Sequence, residues 1–120
     1  MPLAIHEADA MVAFVGAGPG DPELLTLKAQ RLIAKADTLI YADSLVSPDV
    51  CQYAKPGAAI YGSAALTLEA IIDIIHKAVT NGQFVVRLHS GDPSLYGAMY
   101  EQQRLLDRHG IKYFIVPGVS

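Results

Sequence analysis

The sequence predicts an α/β domain: a mostly parallel five-stranded sheet flanked by helices. Five short apolar runs, Met11–Val15, Thr38–Ala42, Ala58–Tyr61, Gln83–His89 and Ile111–Val116, have strand length and strand composition. Longer segments whose apolar residues recur at helical spacing alternate with them, and that alternation selects right-handed crossovers between parallel strands. Two of the strands also end in the same punctuation of glycine, aspartate and proline, at Gly20-Asp21-Pro22 and Gly91-Asp92-Pro93. Such a sheet binds its ligands in the crevice outside the carboxyl ends of its strands.

Residues 1–10 show neither a period nor a turn signal and are expected to form an arm ahead of the domain at 11–120, with His6 solvated. Met11–Val15 is a continuous apolar run, as a strand buried on both faces would be. Gly16, Gly18 and Gly20 then alternate through an elbow, where glycine permits sharp turns and close approach. Asp21-Pro22 opens the next helix as cap and first helical residue. A dinucleotide loop is ruled out by the same residues: counted from Gly16, the third glycine of G-x-G-x-x-G would stand at Asp21, whose carboxylate opposes a pyrophosphate. From Pro22 to Ala36, Leu25, Ala29, Leu32, Ile33 and Ala36 form one helical stripe, with Lys28, Arg31 and Lys35 outside it.

The second strand ends at Asp43, and Ser47-Pro48 opens a short helical turn. Pro56-Gly57 is a turn, Ala58–Tyr61 a short strand, and Gly62-Ser63-Ala64-Ala65 a loop. Thr67–Thr80 is a helix with Leu68, Ile71, Ile72, Ile75 and Val79 on one face, stopped by Asn81-Gly82; His76 lies beside that stripe. The fourth strand, Gln83–His89, places Arg87 and His89 on one face. A helix from about Ser94 to His109 stops at Gly110, and the strand Ile111–Val116 leads into Pro117-Gly118-Val119-Ser120. Natural domains rarely end on such a strand-exit loop.

Composition narrows the function. A net charge of −3 with nine Lys and Arg gives no field for nucleic acid or anionic lipid. The single cysteine, Cys51, excludes an internal disulfide and fits a reducing, cytoplasmic setting. Signal-peptide patterning is missing, and no apolar run approaches the ~20 residues of a membrane span. No His, Asp or Glu grouping has metal-ligand spacing, and no serine or cysteine has a base placed beside it.

The candidate groups lie at the strand exits. Asp21 and Asp92 cap helices or face a ligand. Asp43 either caps a turn or acts as a general base. Arg87 suits an anion, while Tyr96 and Tyr100, four residues apart, suit core packing or an aromatic rim.

Four segments, Gly16-Ala-Gly-Pro-Gly-Asp21 with Leu24-Leu25-Thr26, Tyr41-Ala-Asp-Ser-Leu-Val46, Gly91-Asp-Pro-Ser-Leu-Tyr-Gly97 and Val116-Pro-Gly-Val-Ser120, together resemble the tetrapyrrole (corrin/porphyrin) methyltransferases in order and spacing. Within that family the second and third, the latter followed by Ala98 and by Glu101-Gln102, are most similar to the precorrin-4 C11-methyltransferases of cobalamin synthesis. The resemblance spans residues 11–120. It implies an S-adenosylmethionine enzyme of two α/β domains, of which this chain is the first, usually a homodimer, with the cofactor folded in the cleft between them and S-adenosylhomocysteine as product.

By motif it implies cofactor contacts at Pro19, Ser90, Gly91, Asp92, Leu95 and Ser120, and a glycine-rich loop that leans into the substrate cleft. Gly18, Arg87 and Tyr96 are the expected substrate contacts, and Asp43 and Asp21 the expected catalytic carboxylates. The aspartate that serves as proton acceptor in the uroporphyrinogen methylases falls on Asp43, here set off from Tyr41 by Ala42. A lysine that some of those enzymes carry after the third strand has no counterpart in Tyr61-Gly-Ser-Ala-Ala. Two other readings stay open: a methylase of this fold acting on another tetrapyrrole, on protein or on RNA, and a nucleotide-binding module without catalysis.

Overall fold

A computed structural model of the chain describes residues 10–91 and 96–118, with 96–98 described by their backbone. Its five strands are β1 (Val12–Gly16), β2 (Thr38–Tyr41), β3 (Ala59–Gly62), β4 (Val85–His89) and β5 (Tyr113–Val116). They form one parallel sheet in the order β3-β2-β4-β1-β5. The register sets Gly16 opposite His89, Val15 opposite Val116 and Tyr41 opposite Leu88. With Tyr41 also opposite Gly62, all five strands end along one edge.

Three α-helices, α1 (Leu27–Lys35), α2 (Leu68–Thr80) and α3 (Tyr96–Arg108), cover the sheet. One face packs Ala13, Val15, Leu39, Val86 and Leu88 against Ala29, Leu32 and Ile33 of α1 and Val50 of a 3-10 helix at Pro48–Tyr53. The opposite face packs Val12, Phe14, Ile40 and Val85 against Ile71, Ile72 and Ile75 of α2 and Met99 and Leu106 of α3. Each large apolar side chain so buried is worth about 1.5–3 kcal/mol. Because β1 is an interior strand covered on both sides, it reads as a continuous apolar run and not as an alternating one, and β4 beside it is buried through Leu88 although it carries Arg87. Edge strand β3 shows the reverse, with Ala59, Ile60 and Tyr61 exposed.

The first helix begins later than its sequence pattern suggests. Asp21 caps only a 3-10 turn at Pro22–Leu24, accepting from the Glu23 N–H at 2.9 Å. The chain extends at Leu25 and restarts at Thr26, whose hydroxyl accepts from the Ala29 N–H at 3.0 Å. Leu25 is buried all the same, so the stripe was continuous while the helix was not. The turn opened by Ser47-Pro48 forms as expected, with Ser47 accepting from the Asp49 N–H. The expected loop after β3 is a 3-10 turn at Ser63–Ala65, and its partner proves important for the site.

Candidate functional site

The strand exits at the carboxyl edge lock into one another through backbone. The Ala17 N–H donates to the His89 carbonyl at 2.7 Å, the Gly91 N–H to the Gly18 carbonyl at 2.8 Å, and the Ser47 N–H to the Gly20 carbonyl at 3.1 Å. Glycine is required where the chains touch. A Cβ on Gly16 would meet the Gly118 nitrogen at 2.6 Å, and one on Gly118 would meet the Gly18 nitrogen at 2.6 Å. Gly18 and Gly20 have positive φ, but Gly16 does not, so its reason is contact alone. The glycine-rich elbow is thus packed between the exits of β2, β4 and β5.

Two clefts open along this edge. The larger, about 480 Å³, is bounded by Gly16, His89 and Gly91 on one side and by Met99, Tyr100, Val116, Pro117 and Gly118 on the other. The smaller, about 280 Å³, lies over the ends of β2 and β4, bounded by Ala42, Ser44, Ser63, Arg87, His89 and Glu101. His89 and Met99 line both. Among the described residues, no three His, Cys, Asp or Glu side chains come together as a metal site would need, and no helix is long and apolar enough to cross a membrane.

The expected site residues are placed as follows. Pro19 and Gly91 are exposed at the edge, and Ser90 is buried beneath it. Gly18 is buried, with its carbonyl held by Gly91. Asp21 is exposed and engaged in its 3-10 cap. Asp92, Leu95 and Ser120 lie outside the described residues, as does the side chain of Tyr96; Tyr100 is exposed on the wall of the larger cleft. Asp43 is exposed at the end of β2, and its Oδ1 accepts from the Ala64 N–H at 2.7 Å. A Cβ at Gly62 would collide with that carboxylate. Asp43 therefore caps the 3-10 turn that follows β3, a turn 20 residues further along the chain and invisible from its own neighbourhood.

Residues 11–120 match the family of the Tetrapyrrole (Corrin/Porphyrin) Methylases. The chain belongs to that family. The cobalt-precorrin-4 C(11)-methyltransferase of Methanocaldococcus jannaschii is 55% identical over 109 residues, which are 91% of this chain and 42% of that protein. A solved cobalt precorrin-4 methyltransferase of cobalamin biosynthesis superposes with a TM-score of 0.84 at 44% identity, over 97% of this chain and 49% of the other. The uroporphyrin-III C-methyl transferase of Thermus thermophilus, solved in complex with S-adenyl homocysteine, gives 0.73 at 42% identity, over 92% and 46%. The chain thus spans about half the length of these relatives.

In this methylase domain Arg87 is a framework residue by its surroundings. It is 4% exposed, its Nε donates to Gln102 Oε1 at 3.1 Å, its Nη1 to the carbonyls of Leu88 at 3.1 Å and Ile40 at 3.4 Å, and its Nη2 to Ser63 Oγ at 3.2 Å. Burial lowers its pKa to about 10, with nearby Asp43 acting in the opposite sense, so it remains charged at neutral pH. Gln102, noted in the sequence only as part of a motif, is buried on α3 and is the partner of Arg87 Nε. Arg87→Ala is expected to destabilise the domain by about 2–4 kcal/mol, because it leaves Gln102, Ser63 and two carbonyls short of a donor and opens a cavity. Chemical denaturation checks this; a loss under about 0.5 kcal/mol would mean that the network holds nothing together.

His89 and Cys51 differ from their ordinary values in opposite directions. Burial, opposed by a hydrogen bond to the Ser90 carbonyl and aided by Arg87, lowers the His89 pKa below the usual 6.5. The ring is neutral at pH 7. Burial also pushes the Cys51 thiol up, which makes it a packing residue and not a nucleophile.

Proposed function

We propose that the protein carrying this chain is an S-adenosylmethionine-dependent C-methyltransferase of cobalamin synthesis that methylates precorrin-4, or its cobalt form, at C11. The observation that carries this reading is the 55% identity to a cobalt-precorrin-4 C(11)-methyltransferase across 91% of the chain. The larger cleft suits the cofactor: it has the size of a small-molecule site, a largely apolar wall and exposed backbone at Gly91. When bound, S-adenosylmethionine supplies an electrophilic methyl group on a sulfonium, so the transfer needs alignment above all. Pro19, Ser90 and Gly91, with Asp92, Leu95 and Ser120 by motif, are the residues proposed to hold it. Gly18 and Tyr96 would border the tetrapyrrole, and Arg87 would act on it from behind, by fixing Ser63 and the end of β2.

Asp43 is proposed as the carboxylate that accepts or steers a proton as the ring carbon attacks. Its hydrogen bond from Ala64 uses one oxygen, which leaves Oδ2 for substrate. For Asp21 the cap to Glu23 likewise occupies one oxygen, and a role toward substrate rests on the second. A cytoplasmic homodimer with a second domain closing over the cleft completes the proposal.

Incubation of the full-length protein with cofactor and a precorrin-4-type substrate tests it, with mass and NMR analysis of the methylated position. Methyl gain elsewhere than C11 would point to another member of the family. A second test concerns the two-domain site. Calorimetry is expected to show S-adenosylmethionine binding at least tenfold more weakly to residues 1–120 than to the full-length protein; equal affinities would remove the second domain from the cofactor site.

A further inference from the structure

We propose that His89 takes up, on Nε2, the proton released when the ring carbon is methylated, and so acts from the wall between the two clefts. This inference rests on the methyltransferase reading. His89 ends β4 opposite Gly16 and lines both the cleft assigned to the cofactor and the one beside Asp43. A proton leaving the substrate between those clefts meets this ring from either side.

The tautomer is fixed by geometry. His89 Nδ1 lies 2.9 Å from the Ser90 carbonyl, which can only accept, so Nδ1 carries the hydrogen and Nε2 carries the lone pair. No donor among the described residues meets Nε2. With Nδ1 engaged by Ser90 and His89 in the wall of both clefts, Nε2 is the ring nitrogen left to face them. Among the described residues, the charged and titratable groups that share its clefts or act on it are Arg87 on its own strand, Glu101 and Tyr100 on α3, and Asp43 at the end of β2 through Arg87. Among the described residues, β1 contributes Gly16 and the exit of β5 contributes Pro117 and Gly118, none of them titratable. Arg87 and burial keep the ring neutral, while Ser90 holds it in place to receive a proton.

The step balances without another reagent. The electron pair of the ring carbon forms the new C–C bond, the methyl–sulfur bond breaks, and sulfur keeps that pair as a neutral thioether. The methylated ring system, now cationic, loses a proton to Nε2, and the imidazolium passes it to solvent. Asp43 is left to steer the substrate, and its charge favours the cation as it develops.

Long-range proton–nitrogen NMR of the ¹⁵N-histidine-labelled chain across pH 4–8 gives a readout independent of turnover. The expected result is an Nδ1–H tautomer for His89, with an apparent pKa below 6.5; an Nε2–H tautomer would overturn the proposal. In the full-length protein, His89→Gln keeps a donor for the Ser90 carbonyl but accepts no proton. It is expected to cut single-turnover methyl transfer by at least ~10²-fold, to abolish the fall in rate on the acid side of the His89 pKa, and to leave cofactor affinity within about threefold. An active parent with His89→Gln turnover within threefold of it, or with the acid limb intact, overturns the role of His89 alone. A parent that transfers no methyl overturns the reading beneath it as well.

Discussion

Gly16→Ala is expected to destabilise the domain by roughly 3 kcal/mol, the upper part of the usual range for forcing atoms into a filled space. The new methyl would stand 2.6 Å from the Gly118 nitrogen and 3.2 Å from its Cα, and these are backbone atoms that cannot rotate away. Relief requires the exit of β5 to move off the exit of β1, which opens the wall of the larger cleft. A fall in melting temperature of about 10–20 °C follows from the magnitude, and the Gly91–Gly18 hydrogen bond should lose amide protection with it. Gly57→Ala is the control. Gly57 has φ +85° with nothing within 4 Å of its would-be Cβ, so its cost is conformational, about 1 kcal/mol. Equal losses at the two positions would show that the crossing of backbones at Gly16 is slack.

The contrast between those glycines marks what a sequence can express. Strand and helix identity was legible because burial on two faces gives continuous runs such as Val12–Val15, and burial on one gives the stripe Leu68, Ile71, Ile72, Ile75. The shared carboxyl edge followed from strand alternation alone. What stayed hidden were contacts between segments far apart in the chain. Gly16 read as a residue for a sharp turn or a close approach, but the partner that approaches it, Gly118, lies a hundred residues away. Arg87 and His89 looked alike, two residues apart on one face, but α3 supplies Gln102 to the first and leaves the second at a cleft. The false continuity of the first helix has the same origin: Leu25 is buried by tertiary packing and mimics a helical turn that Thr26 in fact begins. Asp43 is the sharpest case, since its local sequence offers it no cap, and Ala64 does.

That cap makes Asp43→Asn a cleaner experiment. Asparagine retains a carbonyl oxygen for the Ala64 N–H and matches the size of the carboxylate that fits against Gly62. A purely structural Asp43 therefore predicts a stability loss under about 1 kcal/mol and near-normal turnover. If the carboxylate also steers a substrate proton, the variant should lose methyl transfer by ~10²–10⁴-fold with its fold and cofactor affinity intact. The charge reaches Arg87 too: Asp43 raises the Arg87 pKa against the larger effect of burial, so Asn should lower it further. Since that value is about 10, Arg87 stays protonated at neutral pH, and its altered ionisation cannot imitate a catalytic loss. The measurement is single-turnover methyl transfer in the full-length protein at saturating cofactor, followed from pH 5 to 8 beside thermal melts. Loss of a steering carboxylate depresses the rate by a similar factor across that range, whereas loss of His89 removes the acid limb. Turnover within threefold of the parent would strip Asp43 of its catalytic role and leave it as the cap that joins the exit of β2 to that of β3.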